Sequence, residues 1–266
     1  MRYKVIACRV FHRELALLSA KSDTVLDITW IRQGLHNYPD LLRVAIQEAI
    51  DRTEAPPEGP DAITGPPEPY QAIILGFGLC SLAIAGLRSK RLPLVVPRSH
   101  DCVGVLLGSN ARYREEFERA PGTYWFSPGW VEEATFPVGE QREVIRRRLS
   151  AQYGEENSDY LVNFQRDSLA DYTRAAYVSL PELDRDRYHT RVGEIASDFG
   201  WAVEVLPGDL SYLGRILNGT WNEAETLVCA PGMEIQAEFD TDGGDNATGN
   251  SDHTERIVYA REIPDV

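Results

Sequence analysis

Short apolar runs alternating with stretches of helical spacing constrain this chain more than any other feature. Residues 5–10 (VIACRV), 27–32 (DITWIR), 72–75 (AIIL) and 92–96 (LPLVV) each read as a strand. Between them, 14–19, 41–52 and 82–87 read as helices, the second with Pro39 and Asp40 in its first turn, and 103–118 reads as an amphipathic helix. Parallel strands need such crossovers, so the pattern predicts a parallel sheet covered on both faces. Right-handed connections bring the exits of parallel strands to one edge, where open α/β sheets hold ligands. The fold expected is α/β, a Rossmann-like parallel sheet layered with helices, in two α/β halves.

The pattern changes after Pro121-Gly122-Thr123-Tyr124-Trp125-Phe126-Ser127-Pro128-Gly129-Trp130. Helices are expected over 142–153 and 157–173, bridging the halves. Then βα units resume: strands at 175–179, 201–206 and 226–230, helices at 183–199 and 210–217. No sequence repeat relates the halves. The expected domains are 1–130, an N-terminal α/β half; 131–236, a helical bridge and second half; and 237–266, an acidic, flexible tail with an edge strand over 257–263. The Pro- and Gly-rich segment 53–70 reads as a loop.

The chain has 41 Asp and Glu against 27 Lys and Arg, a net charge of -14, which disfavours nucleic acid and anionic membrane as partners. No apolar run reaches the ~20 residues of a membrane span. The N-terminus MRYKVIACRV reads as a strand and not as a signal peptide, so a cytoplasmic location is expected. In that compartment the four cysteines are core filler, nucleophiles or metal ligands, not disulfides.

Their positions favour ligands. Cys8 lies at the exit of the first strand, Cys80 at that of the third, and His100 and Cys102 at that of the fourth. Three thiolates and an imidazole suit tetrahedral zinc, with iron or an iron–sulfur cluster as the alternative. In an extended segment His100-Asp101-Cys102 would put both donors on one side, with Asp101 as a helix cap. The competing reading has Cys8 and Cys80 as core and His100 as a cap. Gly76-Phe77-Gly78-Leu79-Cys80 lacks the third glycine of a dinucleotide fingerprint, so its glycines are read as letting the backbone turn tightly at the site. Arg98, Tyr124 and Trp125 are candidate substrate-pocket residues; the aromatic segment is equally a packed crossover. Glu14 and Arg98 are candidate supporting groups near the ligands. Ser127 has no evident triad partner. Cys229 reads as core, and His12, His36, His189 and His253 read as solvated.

The ordered set Cys8, Gln33-Gly34-Leu35-His36, Gly76-Phe77-Gly78-Leu79-Cys80, Arg98-Ser99-His100-Asp101-Cys102, Leu107-Gly108-Ser109, Pro121-Gly122-Thr123-Tyr124-Trp125 and Ser127-Pro128-Gly129-Trp130 resembles the bacterial and archaeal domain-of-unknown-function 1638 family. Tyr153-Gly154-Glu155-Glu156-Asn157, Gly208-Asp209-Leu210 and Leu217-Asn218-Gly219 extend the resemblance to about Ile235. Members of that family often occur beside corrinoid-dependent methyltransferase systems, so the resemblance implies a role in one-carbon metabolism. The expected function is a metal-binding, zinc-class protein acting on a small thiol, methyl or corrinoid-related substrate, leaning to a metal-dependent transferase. The alternatives are a non-catalytic accessory or metallochaperone-like protein for a corrinoid methyltransferase system, and a small-molecule binding protein with a structural metal site.

Overall fold

A computed structural model describes residues 1–56, 68–79, 82–239 and 256–262. In chain order the elements are β1 (Arg2–Cys8), α1 (His12–Lys21), β2 (Val25–Ile31), α2 (Pro39–Glu54), β3 (Ala72–Gly76), β4 (Leu94–Pro97), α3 (Cys102–Leu106), α4 (Asn110–Arg119), β5 (Thr123–Phe126), α5 (Pro128–Glu133), α6 (Gly139–Tyr153) and α7 (Glu155–Asp167). They continue with β6 (Arg174–Ser179), α8 (Asp186–Phe199), β7 (Ala202–Pro207), α9 (Ser211–Leu217), β8 (Thr226–Cys229), β9 (Met233–Phe239) and β10 (Arg256–Glu262). The chain forms two compact units, one of residues 1–110 with 209–266 and one of residues 111–208. The mixed α/β class and the parallel sheets are as the alternating pattern predicts. Among the described residues no helix is long and apolar enough to cross a membrane.

The first unit holds a five-stranded sheet in the order β2-β1-β3-β4-β8. The first four strands are parallel and β8 runs antiparallel to β4. The chain goes from β1 outward to β2, then returns to build β3 and β4 on the other side of β1. The switch point of the sheet therefore lies between the exits of β1 and β3. Alternation along β1 sets Ile6 on the face that packs against Leu42, Ile46, Ala49 and Ile50 of α2. That i, i+4, i+7, i+8 spacing is why the segment is a helix, and Pro39 at its start fits the vacant N–H there.

Three local differences from the sequence reading have physical causes. Residues 82–87 form turns closed by Leu82 N–H to the Leu79 carbonyl (3.0 Å) and Ala85 N–H to the Leu82 carbonyl (3.1 Å), not a helix. A stretch this short cannot offset helix nucleation, and burial of Ala83, Ile84 and Leu87 holds it instead. The helix expected over 103–118 is broken into α3 and α4 at Gly108, which has φ +80°. A Cβ there would lie 2.6 Å from the Asp209 carboxylate, whose own N–H donates to the Leu106 carbonyl (2.8 Å). The segment 123–126, read as a wall or crossover, is strand β5. The tail expectation over 240–255 lies outside the described residues; β9 takes 237–239 into a strand paired with β10.

The second unit is built on the parallel sheet β5-β6-β7. Its core gathers Phe126, Phe136, Tyr177, Tyr188, Ile195 and Trp201. Within it α6 and α7 pack together, Arg142 donating to Asn163 Oδ1 (2.9 Å). The buried Arg174 is held by Thr123 Oγ1 (2.7 Å) and Glu204 (2.6 Å), satisfying a charge that would otherwise be costly there.

In the first unit, Glu54 at the end of α2 accepts from Ser89 Oγ (2.6 Å) and from the N–H groups of Lys90, Arg91 and Leu92 (2.9, 2.7 and 2.9 Å). Burial alone would raise its pKa, but these four donors outweigh it and hold the carboxyl below the usual carboxylate range. A depressed folded pKa stabilises above the unfolded value and stops doing so as pH falls through the folded one. Glu54→Ala is expected to cost about 1–3 kcal/mol near neutral pH, because it leaves the buried Ser89 hydroxyl and three partly buried N–H groups without this acceptor. In urea melts, the gap between wild type and variant should shrink once the pH falls below the normal carboxylate range.

Candidate functional site at the strand exits

Cys8 is the last residue of β1 and leads through a 3-10 turn, Arg9–Phe11, into α1. It is half-buried on the α2 face, against the cluster that contains Phe77 and Leu79. Glu14, in the first turn of α1, has no solvent exposure.

At the exit of β3 the glycines supply close approach. A Cβ on Gly76 would stand 2.7 Å from the Ala7 Cβ, next to Cys8 in β1. A Cβ on Gly78 would stand 2.3 Å from the Asp101 carbonyl carbon and 2.6 Å from the Cys102 nitrogen. No real Cβ tolerates such separations, so only glycine lets the β3 loop lie on the β4 loop. Leu79 N–H donating to the Ser99 carbonyl (3.0 Å) joins the same two loops. Neither glycine has positive φ. The expectation of a tight turn is therefore refined to tight contact.

The β4 loop is itself tied down. Arg98 N–H donates to the Glu225 carbonyl (2.8 Å), its guanidinium donates to the Val258 carbonyl, and its own carbonyl accepts from the Asn110 amide. Arg98 thus bonds two main-chain carbonyls and one side-chain amide. The fully buried Ser99 donates to the Asp101 carbonyl (2.8 Å). Asp101 caps α3, its carboxylate accepting from Val103 N–H (2.7 Å) and Gly104 N–H (3.2 Å), as expected of a residue before a helix. Cys102 is the first residue of α3, so strict alternation does not govern how His100 and Cys102 are disposed.

The described members of the predicted donor set, Cys8, His100 and Cys102, are each half-buried, at the exits of β1 and β4. Cys80 lies outside the described residues. Among the described residues no three His, Cys, Asp or Glu side chains are grouped so as to hold a metal ion. Tyr124 and Trp125 belong to the second unit. There Tyr124 stacks on Trp201 (5.5 Å between centroids), and Trp125 lies beside Tyr113 (5.8 Å) with the Arg174 guanidinium 5.7 Å away. Ser127 caps α5, accepting from Trp130 N–H (3.2 Å). Cys229 is core as expected: burial, with Glu234 secondary, pushes its thiol up to about 11, so it is a thiol and no nucleophile at neutral pH.

His36 corrects the sequence reading. It was expected to be solvated, yet it is partly buried in the turn Leu35–Asn37 after β2, and burial lowers its pKa. Because β2 neighbours β1 in parallel, that turn follows the strand exit next to Cys8. Leu35 and Cys8 pack against one apolar cluster. The signal was present in the sequence: the strand-exit argument applied to β1, β3 and β4 holds equally for β2. His189, also expected to be solvated, is 40% exposed but stands edge-on to Tyr177 (4.6 Å) with Asp184 3.7 Å away. His253 lies outside the described residues.

Gly78→Ala should force the β3 and β4 loops apart. The expected cost is at least about 1–3 kcal/mol, the range for overpacking in a tight interior. Urea melts would read that loss, and Cys102 should be alkylated faster in the variant; equal stability and equal labelling would refute the contact. No curated protein and no solved structure matches the chain. The family described as "Protein of unknown function (DUF1638)" matches residues 30–217, most of the chain, from the last residues of β2 to the end of α9. The protein belongs to that DUF1638 family.

Proposed function

We propose that this is a metal-binding protein of the zinc class, with Cys8, Cys80, His100 and Cys102 as donors, handling a small thiol, methyl or corrinoid-related substrate in one-carbon metabolism. The observation that carries the reading is the contact of Gly78 with Asp101 and Cys102, which joins the loop leading into Cys80 to the loop that bears His100 and Cys102. Gly76 against Ala7 links the same loop to the β1 exit and Cys8. These are neighbouring exits beside the switch point of a parallel sheet, where ligands of such folds sit. With no three described side chains grouped for a metal, the reading requires Cys80.

The donor chemistry suits zinc, since three thiolates and one imidazole match its preference for sulfur and nitrogen. When bound, the metal would hold a thiolate at neutral pH by lowering its pKa. The chain's own residues do the rest. Asp101 holds the start of α3, and hence Cys102, through two backbone N–H groups. Ser99 holds the loop before it. His36 is kept neutral by burial on the adjoining turn. A second reading, a closed four-donor site with a structural role, is favoured by the packing of Cys8 against the apolar core. Service to a partner protein as a metal carrier is the non-catalytic form of the same chemistry.

Elemental analysis of protein purified without chelator or nickel resin tests this directly. Wild type is expected to carry close to one zinc or iron per chain, and Cys80→Ser and His100→Ala to lose most of it while keeping their circular dichroism. Folded wild type without metal, still failing to take up added zinc, would reject the reading.

A further inference from the structure

Among the described strands, β7 presents both open backbone groups and apolar side chains at a sheet edge. It pairs with β6 alone. Ala202 N–H donates to the Thr173 carbonyl (2.9 Å) and Gly208 N–H to the Ser179 carbonyl (2.7 Å). In a parallel ladder alternate residues bond to the same neighbour, so Ala202, Glu204 and Leu206 face β6, and the backbone groups of Val203 and Val205 face away from it. The same two valines are 51% and 50% exposed. Their register partners in β6, Ala175 and Tyr177, are fully buried, so the valines continue an apolar face past its covered part. Glu204 projects to the opposite face and is neutralised by Arg119 (2.8 Å) and Arg174 (2.6 Å). Pro207 closes the strand, having no N–H, with its carbonyl taken by Arg112 (2.6 Å). Parallel sheets seldom leave an edge in this state. The other edges of the described parallel sheets are more covered: β2 is half-buried along its length apart from exposed Val25 and buried Ile31, and β5 is buried at Thr123 and Phe126 and half-buried between them.

We propose that β7 pairs antiparallel with β7 of a second copy of this chain, about a two-fold axis at Glu204, joining two three-stranded sheets into one of six. The outward-facing residues are two apart, so Val203 of each copy meets Val205 of the other and the pair exchanges backbone bonds in both directions. That pattern is self-complementary, as a closed two-fold contact requires. The four valine side chains come together on one face. On the other, the two Glu204 carboxylates approach with their arginines already beside them, and the half-exposed Arg119 of each copy can reach across to the carboxylate of the other. Charge is thus matched at the axis despite the acidic chain.

Sedimentation velocity at tens of micromolar protein is expected to show a dimer. Val205→Pro removes an outward N–H where an isolated edge strand tolerates proline. It should weaken self-association on the order of tenfold or more, through two symmetry-related bonds. Glu204→Cys gives a second, covalent measure, with circular dichroism to check that the unit stays folded once Arg174 loses this partner. Residues opposite each other in the non-bonded position of an antiparallel pair lie close enough for a disulfide, so mild oxidation should link this variant into dimers. Ala202→Cys, off the axis, should link no more than wild type does through its native cysteines. A monomeric wild type, or a dimer that survives Val205→Pro while Glu204→Cys fails to cross-link, would overturn the proposal.

Discussion

The contact of the Gly78 backbone with Asp101 and Cys102 is the constraint on which the strand-exit edge depends. A single methyl group at position 78 would overlap the backbone of the neighbouring loop by about an ångström. Around that contact the chain arranges hydrogen bonds that leave the two loops little freedom. Leu79 reaches Ser99, Ser99 reaches the Asp101 carbonyl, and Asp101 fixes the first turn of α3. The side chains of His100 and Cys102 are therefore carried on a backbone held at several points within five residues. Rigid support of that kind is what a binding site needs, whatever its ligand.

The same solution recurs away from the site. Carboxylates in this acidic chain repeatedly serve as acceptors for backbone N–H groups. Glu54 gathers three, Asp101 two, and Asp209 accepts from Ser211 N–H (2.8 Å) just before α9. Each satisfies donors that loops and helix starts would otherwise leave open. Part of the negative charge of the chain is thereby put to structural use. In the second unit carboxylates meet side chains as well: Glu204 pairs with Arg174 and Arg119, and Asp184 accepts from Tyr177 (2.7 Å) and Ser179.

The aromatic run at 124–130 shows how one segment can answer to two descriptions. As sequence it is a candidate wall over a pocket. In the fold Tyr124 and Phe126 pack into the core of the second unit, Trp125 meets Tyr113 and Arg174, and Ser127 starts a helix. Each of these residues has a packing partner within its own unit. The described cysteines, Cys8, Cys102 and Cys229, all lie in the first unit.

By itself the sequence determined the class of fold, because the switch between strand and helix periodicity repeats and parallel strands with crossover helices answer it. It also placed residues at strand exits, since Cys8 and Gly76 come at the ends of apolar runs and His100 follows one after Pro97, Arg98 and Ser99. It identified Asp101 as a cap and Cys229 as core for equally local reasons. What only the tertiary structure decided is non-local. The order β2-β1-β3-β4-β8 brings His36 to the edge that Cys8 occupies, and no spacing along the chain encodes strand order. The return of 209–239 to the first unit, sealed by Asp209 on Gly108, joins residues a hundred positions apart. The breaks at 82–87 and at Gly108 arise because long-range burial and a distant carboxylate override a local helical pattern. Periodicity records how a segment meets its surroundings, and it is silent on which segment supplies them.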